Sequence, residues 1–161
     1  MLTIILSDPL YADDYEKTID DLTILFLAGN ETIKVSSTNT TCYLTQHPDA
    51  KAKYLAEVTP VIERTRGNFV EELTIDDVDQ FNYVRYCWYE AMRLDPPVPG
   101  SLSNCFNKPV TIGGAQFDTD TACSINFCAV HRDPQEWINP DQFVPERFDP
   151  SSPMYLRPDG Q

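Results

Sequence analysis

The chain has 161 residues, and its composition of 42% hydrophobic, 11% aromatic and 23% charged residues is that of a globular domain with a real core. A net charge of -13, with acidic residues spread along the chain, argues against nucleic-acid binding, which needs a basic surface. Five cysteines are an odd set without the density of a disulfide scaffold, so a reducing compartment is the simpler interpretation. The apolar residues 1–6 make a poor signal peptide, and no run approaches the length of a membrane span.

One long helix is predicted in the first third of the chain. No proline occurs between Pro9 and Pro48, so the gap has room for a single continuous element. Residues 22–28 form an apolar stretch that is suited to a buried helix. Gly29 follows this stretch and costs about 1 kcal/mol inside a helix relative to alanine.

Three more helices are predicted before residue 95. The first begins at Pro48 and runs to Arg66, with a kink or break at Pro60 and a stop at Gly67. Thr74, followed by acidic residues in the first turn, predicts the N-cap of a short helix. Residues 81–94, rich in large side chains and followed by two prolines, predict the last of the three.

The pattern changes to strands after residue 100. Residues 110–117, with two glycines at their centre, predict a small hairpin. Residues 122–130 read as another extended run, and residues 133–137 as one helical turn with proline at its start. The remainder is a proline-punctuated meander. The predicted fold is mainly α with small β-sheets, in a single domain over residues 1–161.

A charge motif distinguishes the last predicted helix. Glu90 and Arg93 lie three residues apart and therefore share one helix face. Arg147, in a proline-bounded loop, can complete a three-member network, which is costly to bury unless every member is paired and hydrogen-bonded. The similar motif at residues 63–66 lies at a helix end, where a solvated pair is the default. We therefore predict that Glu90, Arg93 and Arg147 form a buried structural lock.

The chain resembles the cytochrome P-450 superfamily of haem-thiolate monooxygenases, collinearly from about residue 20 to residue 148. Three motifs in the family's order carry the resemblance: Ala28-Gly29-Asn30-Glu31-Thr32, Glu90-Ala91-Met92-Arg93 followed by Pro96-Pro97, and His131-Arg132-Asp133-Pro134 with Pro145-Glu146-Arg147-Phe148. Each motif is modest alone, and together they are specific. The resemblance implies a partial cytochrome P-450 fold, with a long central helix, a Glu-x-x-Arg helix, short hairpins and a C-terminal meander.

The resemblance also implies roles for the central helix. Ala28 and Gly29 would form a helix wall that faces the haem, since the absence of a Cβ at Gly29 permits close approach. Glu31 and Thr32 would serve oxygen activation, because a hydroxyl can relay a proton that a neighbouring carboxylate resupplies. The alternative is that Gly29 marks a helix–helix contact and that Thr32 bonds to a carbonyl one turn earlier.

Two further groups of residues take roles from the family. Glu90, Arg93 and Arg147 would hold the region beside the cysteine loop. The substrate pocket would be lined by two segments, whose alternative role is plain core packing: Phe26, Leu27, Val98, Pro99, Gly100 and Ser101.

The residue that binds haem iron in the family is missing from its expected place. The family's thiolate lies in a Phe-x-x-Gly-x-Arg-x-Cys loop downstream of Pro-Glu-Arg-Phe, and no cysteine follows Phe148 here. We therefore predict an internal fragment with no metal ligand of its own. A metal site at Cys123, Cys128 and His131 would have too few ligands and the wrong spacing for zinc.

The family's usual features are altered at two other places. Residues 118–121 stand where members usually have Pro-x-Gly-Thr, and aspartate tolerates the left-handed geometry of that turn better than most residues. Residues 99–101 offer no basic side chain for a haem propionate.

These implications define an expected function. The parent protein would bind haem b, accept two electrons from an NADPH-dependent reductase or a ferredoxin-type donor, and use dioxygen to hydroxylate an apolar small molecule. It would be intracellular, with any membrane anchor in an N-terminal segment absent here. The 161 residues alone would be inactive and would expose an apolar patch. The alternatives are a non-catalytic truncated remnant of the family and a small helical and strand interaction module without a cofactor.

Overall fold

The computed structural model describes residues 14–155, without the side chains at 69 and 70. Its longest element is helix α1 (Tyr15–Gln46). It confirms the predicted single long helix, whereas the expectation for residues 1–6 lies outside the described residues. The chain divides into two compact units, residues 1–35 and 36–161, and the boundary falls within α1. The single domain over residues 1–161 stays a prediction.

Residues 22–28, whose apolar composition suits a buried helix, are largely exposed in this chain. Ile24, Phe26 and Leu27 are 63%, 70% and 56% exposed. An apolar stretch predicts that a helix needs a cover, but it does not show that the same chain supplies one. The exposed stretch agrees with the expected apolar patch.

We expect this exposed stretch to bind a hydrophobic reporter dye in the purified 161-residue chain and to broaden its thermal transition. Replacement of Phe26 and Leu27 by serine should reduce the dye signal, because both side chains are more than half exposed. Fluorescence and calorimetry measure the two effects. A sharp cooperative transition without dye binding would contradict the expectation.

Helix α2 (Pro48–Thr65) begins at Pro48 as predicted and ends one residue before the predicted Arg66, which is its C-cap. The predicted break at Pro60 does not occur, since Pro60 lies inside the helix. Its stop is made by two residues in the left-handed region, Arg66 at φ +49° and Gly67 at φ +78°. The Gly67 amide donates to the carbonyl oxygen of Ile62 over 3.2 Å, which pairs one of the orphan carbonyls at the helix end.

Three helices follow, α3 (Phe69–Glu72), α4 (Ile75–Gln80) and α5 (Asn82–Leu94). Thr74 caps α4 as predicted. Its hydroxyl oxygen accepts from the Asp77 amide at 3.3 Å, and the Asp77 carboxylate accepts from the Thr74 amide at 2.9 Å. This reciprocal box satisfies amides that the first helical turn leaves without intrahelical partners.

Two small antiparallel sheets come next. The hairpin β2 (Val110–Ile112) and β3 (Ala115–Phe117) is confirmed, and its two central glycines, Gly113 and Gly114, have φ of +56° and +82°. Strand β1 (Asn104–Cys105) pairs with β4 (Ala122–Cys123). Asp120, before β4, has φ +65°, so aspartate does adopt left-handed geometry in this turn.

The predicted extended run over residues 122–130 is wrong beyond β4. Helix α6 (Phe127–Val130) forms the last part of this run. The Asn126 side chain caps this helix by accepting from the Ala129 amide over 3.1 Å. Residues 133–137 make one turn, in which the Asp133 carbonyl accepts from the Trp137 amide over 2.9 Å. The meander then contains 3₁₀ turns at Pro145–Phe148 and Pro153–Tyr155.

The core of the second unit centres on α5, which packs against α2 and the 3₁₀ turn Pro145–Phe148. The buried apolar residues of this core include Leu44, Ala50, Cys87, Ala91, Leu94 and Phe143. Tyr43, Tyr54 and Tyr83 pack against them, and the Tyr43 and Phe143 rings stack with centroids 4.8 Å apart. The predicted class, mainly α with small β-sheets, is confirmed. In residues 14–155 no helix is both long enough and apolar enough to cross a bilayer.

Candidate functional site

Glu90 lies on the buried face of α5 with its side chain fully enclosed. Its Oε1 accepts from Arg93 Nη2 at 2.8 Å, from Arg147 Nε at 3.0 Å and from the Val144 amide at 2.9 Å. Its Oε2 accepts from Arg93 Nε at 2.7 Å. Four donors therefore replace the water that the carboxylate loses on burial, two of them from a single planar guanidinium.

Arg93 uses all five of its N–H donors. Two donate to Glu90, as a fork that spacing i, i+3 on one helix allows. Nη1 donates to the carbonyl oxygens of His131 and Pro140, each at 2.7 Å, and Nη2 also donates to the Gln142 carbonyl oxygen at 3.1 Å. One helical side chain thus fixes three points of the meander.

Arg147 completes the network from the 3₁₀ turn. Its Nη2 donates to the Asn139 carbonyl oxygen over 2.6 Å, and Asn139 itself has φ +49°. Burial lowers the pKa of the Arg147 guanidinium, and the Glu90 carboxylate opposes that effect. The Arg93 guanidinium also lies 5.0 Å from the centre of the Trp137 ring, within cation–π range. Two cations thus share one carboxylate, and the partially negative oxygens of backbone carbonyls accept further hydrogen bonds from both.

The structure therefore brings Glu90, Arg93 and Arg147 together, with side chains at most 2% exposed. The similar motif at residues 63–66 differs in its surroundings. Arg64 is half exposed and pairs with Asp77 at 2.6 Å, outside that motif. Burial, rather than the spacing of acid and base, separates the two motifs.

Glu146, next to Arg147, forms a second polar contact that the sequence did not indicate. Its carboxylate accepts from Lys53 Nζ at 2.5 Å and from the Tyr83 hydroxyl at 3.1 Å. Burial by itself would raise the pKa of Glu146, but the hydrogen bonds from Lys53 and Tyr83 outweigh it, so the pKa is lowered. Burial and the nearby Glu146 carboxylate raise the pKa of the Tyr83 phenol.

We expect Glu146 to make the stability of the folded chain sensitive to acid. Because its pKa is lower in the folded state, its contribution is present above the unfolded carboxyl pKa of about 4.3 and is lost as pH falls through the folded value. The exposed ion pair limits this contribution to below about 1 kcal/mol. Urea titrations from neutral to acid pH should show that Glu146→Gln destabilises at neutral pH and that the difference vanishes in acid. A constant difference would contradict this, and the exposed Glu63→Gln is the control.

The segment predicted to line a substrate pocket is held along its backbone. The Ser101 amide donates to the Ile125 carbonyl oxygen at 2.9 Å, and the Ile125 amide donates to Ser101 Oγ at 2.8 Å. A Cβ at Gly100 would come within 2.9 Å of the same Ile125 oxygen, so this position requires glycine. Val98 is 46% exposed and Pro99 is exposed too. The segment is therefore firmly attached while part of its side-chain surface remains accessible.

The residues predicted to act on oxygen lie in the first unit, on α1. Thr32 Oγ1 donates to the Ala28 carbonyl oxygen over 2.6 Å, and Glu31 pairs with Lys34 at 2.5 Å on the helix surface. A Cβ added at Gly29 would meet no atom within 4 Å. The surface at Gly29 is thus open to a flat group. The hydrogen bond from Thr32 to a carbonyl one turn earlier is the bond expected if Thr32 has no role in oxygen activation.

The five cysteines are free thiols. Burial raises the pKa of Cys87 to about 12, and the carboxylates of Glu146 and Glu57 act in the same direction. Cys105 and Cys123 are exposed in the sheet of β1 and β4. In the part of the chain that the structure describes, no three side chains of His, Cys, Asp or Glu come together as a metal site.

Comparisons with known proteins identify the family. The cytochrome P450 family model matches residues 13–158, and the chain belongs to this family. Cytochrome P450 71B5 from Arabidopsis thaliana is 31% identical over 147 residues, which cover 89% of this chain and 29% of that protein. Amorpha-4,11-diene 12-monooxygenase from Artemisia annua is 30% identical over 144 residues, covering 89% and 28%. The chain thus spans less than a third of the length of these curated relatives.

Solved structures of cytochromes P450 also match the fold of this chain. Retinoic acid-bound cyanobacterial CYP120A1 matches with a TM-score of 0.72 and 26% identity, covering 84% of this chain and 29% of that one. A zebrafish cytochrome P450 with progesterone matches with a TM-score of 0.66 and 27% identity, covering 78% and 29%. The partial cytochrome P-450 fold implied by the motifs is therefore confirmed.

Family membership implies a haem iron for the complete protein, and the described residues fit that group in part. The open surface at Gly29 is compatible with a flat macrocycle. Cys87 does not fit as the axial ligand, because burial and two nearby carboxylates disfavour its thiolate. Among the described residues, the buried Cys87 is thus not a suitable thiolate for the iron.

Proposed function

We propose that the chain is the segment from central helix to meander of a haem-dependent monooxygenase. The parent would use dioxygen and two electrons from an NADPH-dependent reductase or a ferredoxin-type donor to hydroxylate an apolar organic molecule. The observation that carries the proposal is the clasp of Glu90 by Arg93 and Arg147, with the Arg147 contact at 3.0 Å. A network that is so costly to bury is well suited to hold the meander in one conformation.

Haem, when bound, would supply the oxygen chemistry, and we assign only supporting roles to the residues of this chain. Ala28 and Gly29 would line the haem-facing wall. Glu31 and Thr32 would handle protons at a carboxylate and a hydroxyl. Because Thr32 Oγ1 donates its proton to the Ala28 carbonyl oxygen, its oxygen would act toward a water as an acceptor.

The substrate would be apolar because the segments assigned to the pocket present apolar side chains. Phe26, Leu27 and Val98 are exposed on their elements, and Pro99, Gly100 and Ser101 add a surface with little charge. The thiolate would come from a cysteine loop in the part of the relatives' length that this chain does not cover. The proposal also includes an intracellular parent protein.

The alternative of a small interaction module without a cofactor accounts for less. Such a module needs a self-sufficient core and gives no reason for Arg147 to reach Glu90. A non-catalytic remnant of the family would keep the network, and the flanking reading frame separates it from the enzyme. Absence of a cysteine loop there would favour the remnant.

The decisive experiment uses the complete open reading frame. After expression, the reduced protein is exposed to carbon monoxide and its absorption spectrum is recorded. A thiolate-ligated haem gives a characteristic band, and we expect that band. A spectrum without haem, or with haem held by another ligand, would overturn the proposal.

A further inference from the structure

Helix α5, which carries Glu90 and Arg93, has no capping side chain at its own N-cap position. Phe81 occupies the N-cap position, and no capping hydrogen bond comes from its side chain. The first amides of a helix have no intrahelical acceptor and need other partners. Neighbouring α4 meets this need locally through Thr74 and Asp77.

The missing cap is supplied by a side chain 25 residues earlier in the chain. Glu57, half-buried on α2, accepts three backbone hydrogen bonds from the first turn of α5. Its Oε1 accepts from the amides of Asn82 at 2.9 Å and Tyr83 at 3.1 Å, and its Oε2 accepts from the Val84 amide at 2.9 Å. A carboxylate at this end of a helix also faces the positive end of the helix dipole.

A second residue of α2, one turn earlier, contacts the other side of the network. Lys53 donates to Glu146, the neighbour of Arg147 in the 3₁₀ turn. Residues at i and i+4 share a helix face, so Lys53 and Glu57 act from one face of α2. Glu57 holds the helix of Glu90 and Arg93, while Lys53 holds the turn of Arg147.

We propose that Glu57 is a positioning residue for the charge network. It fixes the first turn of α5 on α2, and the regular rise of a helix then fixes the position of Glu90. With Lys53 it sets the separation of the two parts of the network, the helix with Glu90 and Arg93 and the turn with Arg147. This inference rests on the proposed function only for the biological role of the network. The contacts themselves lie within this chain.

The test is a double-mutant cycle in the full 161-residue chain, read by amide hydrogen exchange. Glu57→Ala should accelerate exchange at Asn82, Tyr83 and Val84 by roughly tenfold, the loss of a helix cap. The Val144 amide, which donates to Glu90, should accelerate as well, because the network shifts with α5. Glu63→Ala, an exposed glutamate on the same helix, is the matched control.

Phe81→Ser distinguishes a cap from a mere packing contact. Serine at the N-cap position supplies a local acceptor, so it should restore protection in the Glu57→Ala background beyond its own effect in the unaltered chain. If Glu57→Ala does not fold, Glu57→Gln replaces it in the cycle. Strictly additive effects, or an unchanged Val144 amide, would overturn the inference. The readout needs no haem, so failure here is distinct from failure of the proposed function.

Discussion

Replacement of Glu90 by glutamine is expected to lower the free energy of unfolding of the chain by about 3–5 kcal/mol. The carboxylate is fully buried and accepts four hydrogen bonds from Arg93, Arg147 and Val144. Glutamine removes the negative charge and turns one acceptor into a donor that faces guanidinium N–H groups. Two buried cations are then left without a carboxylate. Urea denaturation followed by circular dichroism measures the loss.

A stability of 5–15 kcal/mol is common for single domains, so a loss of about 3–5 kcal/mol can unfold a marginal one. The exposed Glu63→Gln is the control and should change the free energy of unfolding by less than about 0.5 kcal/mol. Equal effects of the two substitutions would show that burial of Glu90 contributes nothing special. In the complete parent protein, Glu90→Gln should prevent stable haem incorporation. Normal haem content in that variant would remove the role we assign to the network.

The members of the network could be predicted from sequence, whereas most of their partners could not. Glu90 and Arg93 are three residues apart, and helical geometry alone places them on one face. Arg147 was predicted from its place in a proline-bounded loop, and the order of the family motifs supported it. The carbonyl oxygens that complete the coordination belong to the irregular meander, where proline and left-handed residues such as Asn139 direct the backbone. No periodicity encodes such a path.

Glu57 was missed for a related reason. In sequence it is one acid among several on an amphipathic helix, and such acids usually face solvent. Its role depends on the arrangement of α2 and α5, which is a tertiary fact. A signal was nevertheless present, because Phe81 precedes a strongly predicted helix and cannot cap it. A helix start without a local cap is a reason to look for a distant carboxylate.

The exposure of residues 22–28 and the helical turn within residues 122–130 have different causes. For residues 22–28 the apolar composition was read correctly as a surface that needs a cover, but the neighbours of a helix cannot be read from its own sequence. For residues 122–130 the side-chain pattern fits a strand, and the Asn126 cap converts the second half into a helical turn. Local hydrogen bonding by asparagine there prevailed over propensity.

Replacement of Arg93 by lysine is expected to be nearly as damaging as loss of Glu90, although the charge is kept. Arg93 donates five hydrogen bonds, two to Glu90 and three to the carbonyl oxygens of His131, Pro140 and Gln142. Lysine offers three donors from one nitrogen, so at least two buried acceptors lose their partner. Each such acceptor costs about 1–3 kcal/mol, so two of them predict a loss of roughly 2–6 kcal/mol in urea denaturation.

Arg132→Lys is the matched control for this substitution. Arg132 is a meander arginine with 35% of its side chain exposed, and its ion pairs to Asp95 and Asp141 are long, at 3.7 Å and 3.5 Å. Its replacement should change the free energy of unfolding by less than about 1 kcal/mol. Amide exchange adds a local readout, since Val144 should lose protection in Arg93→Lys and keep it in Arg132→Lys. Equal losses in the two variants would mean that charge alone holds the meander, and that the planar geometry of Arg93 does not.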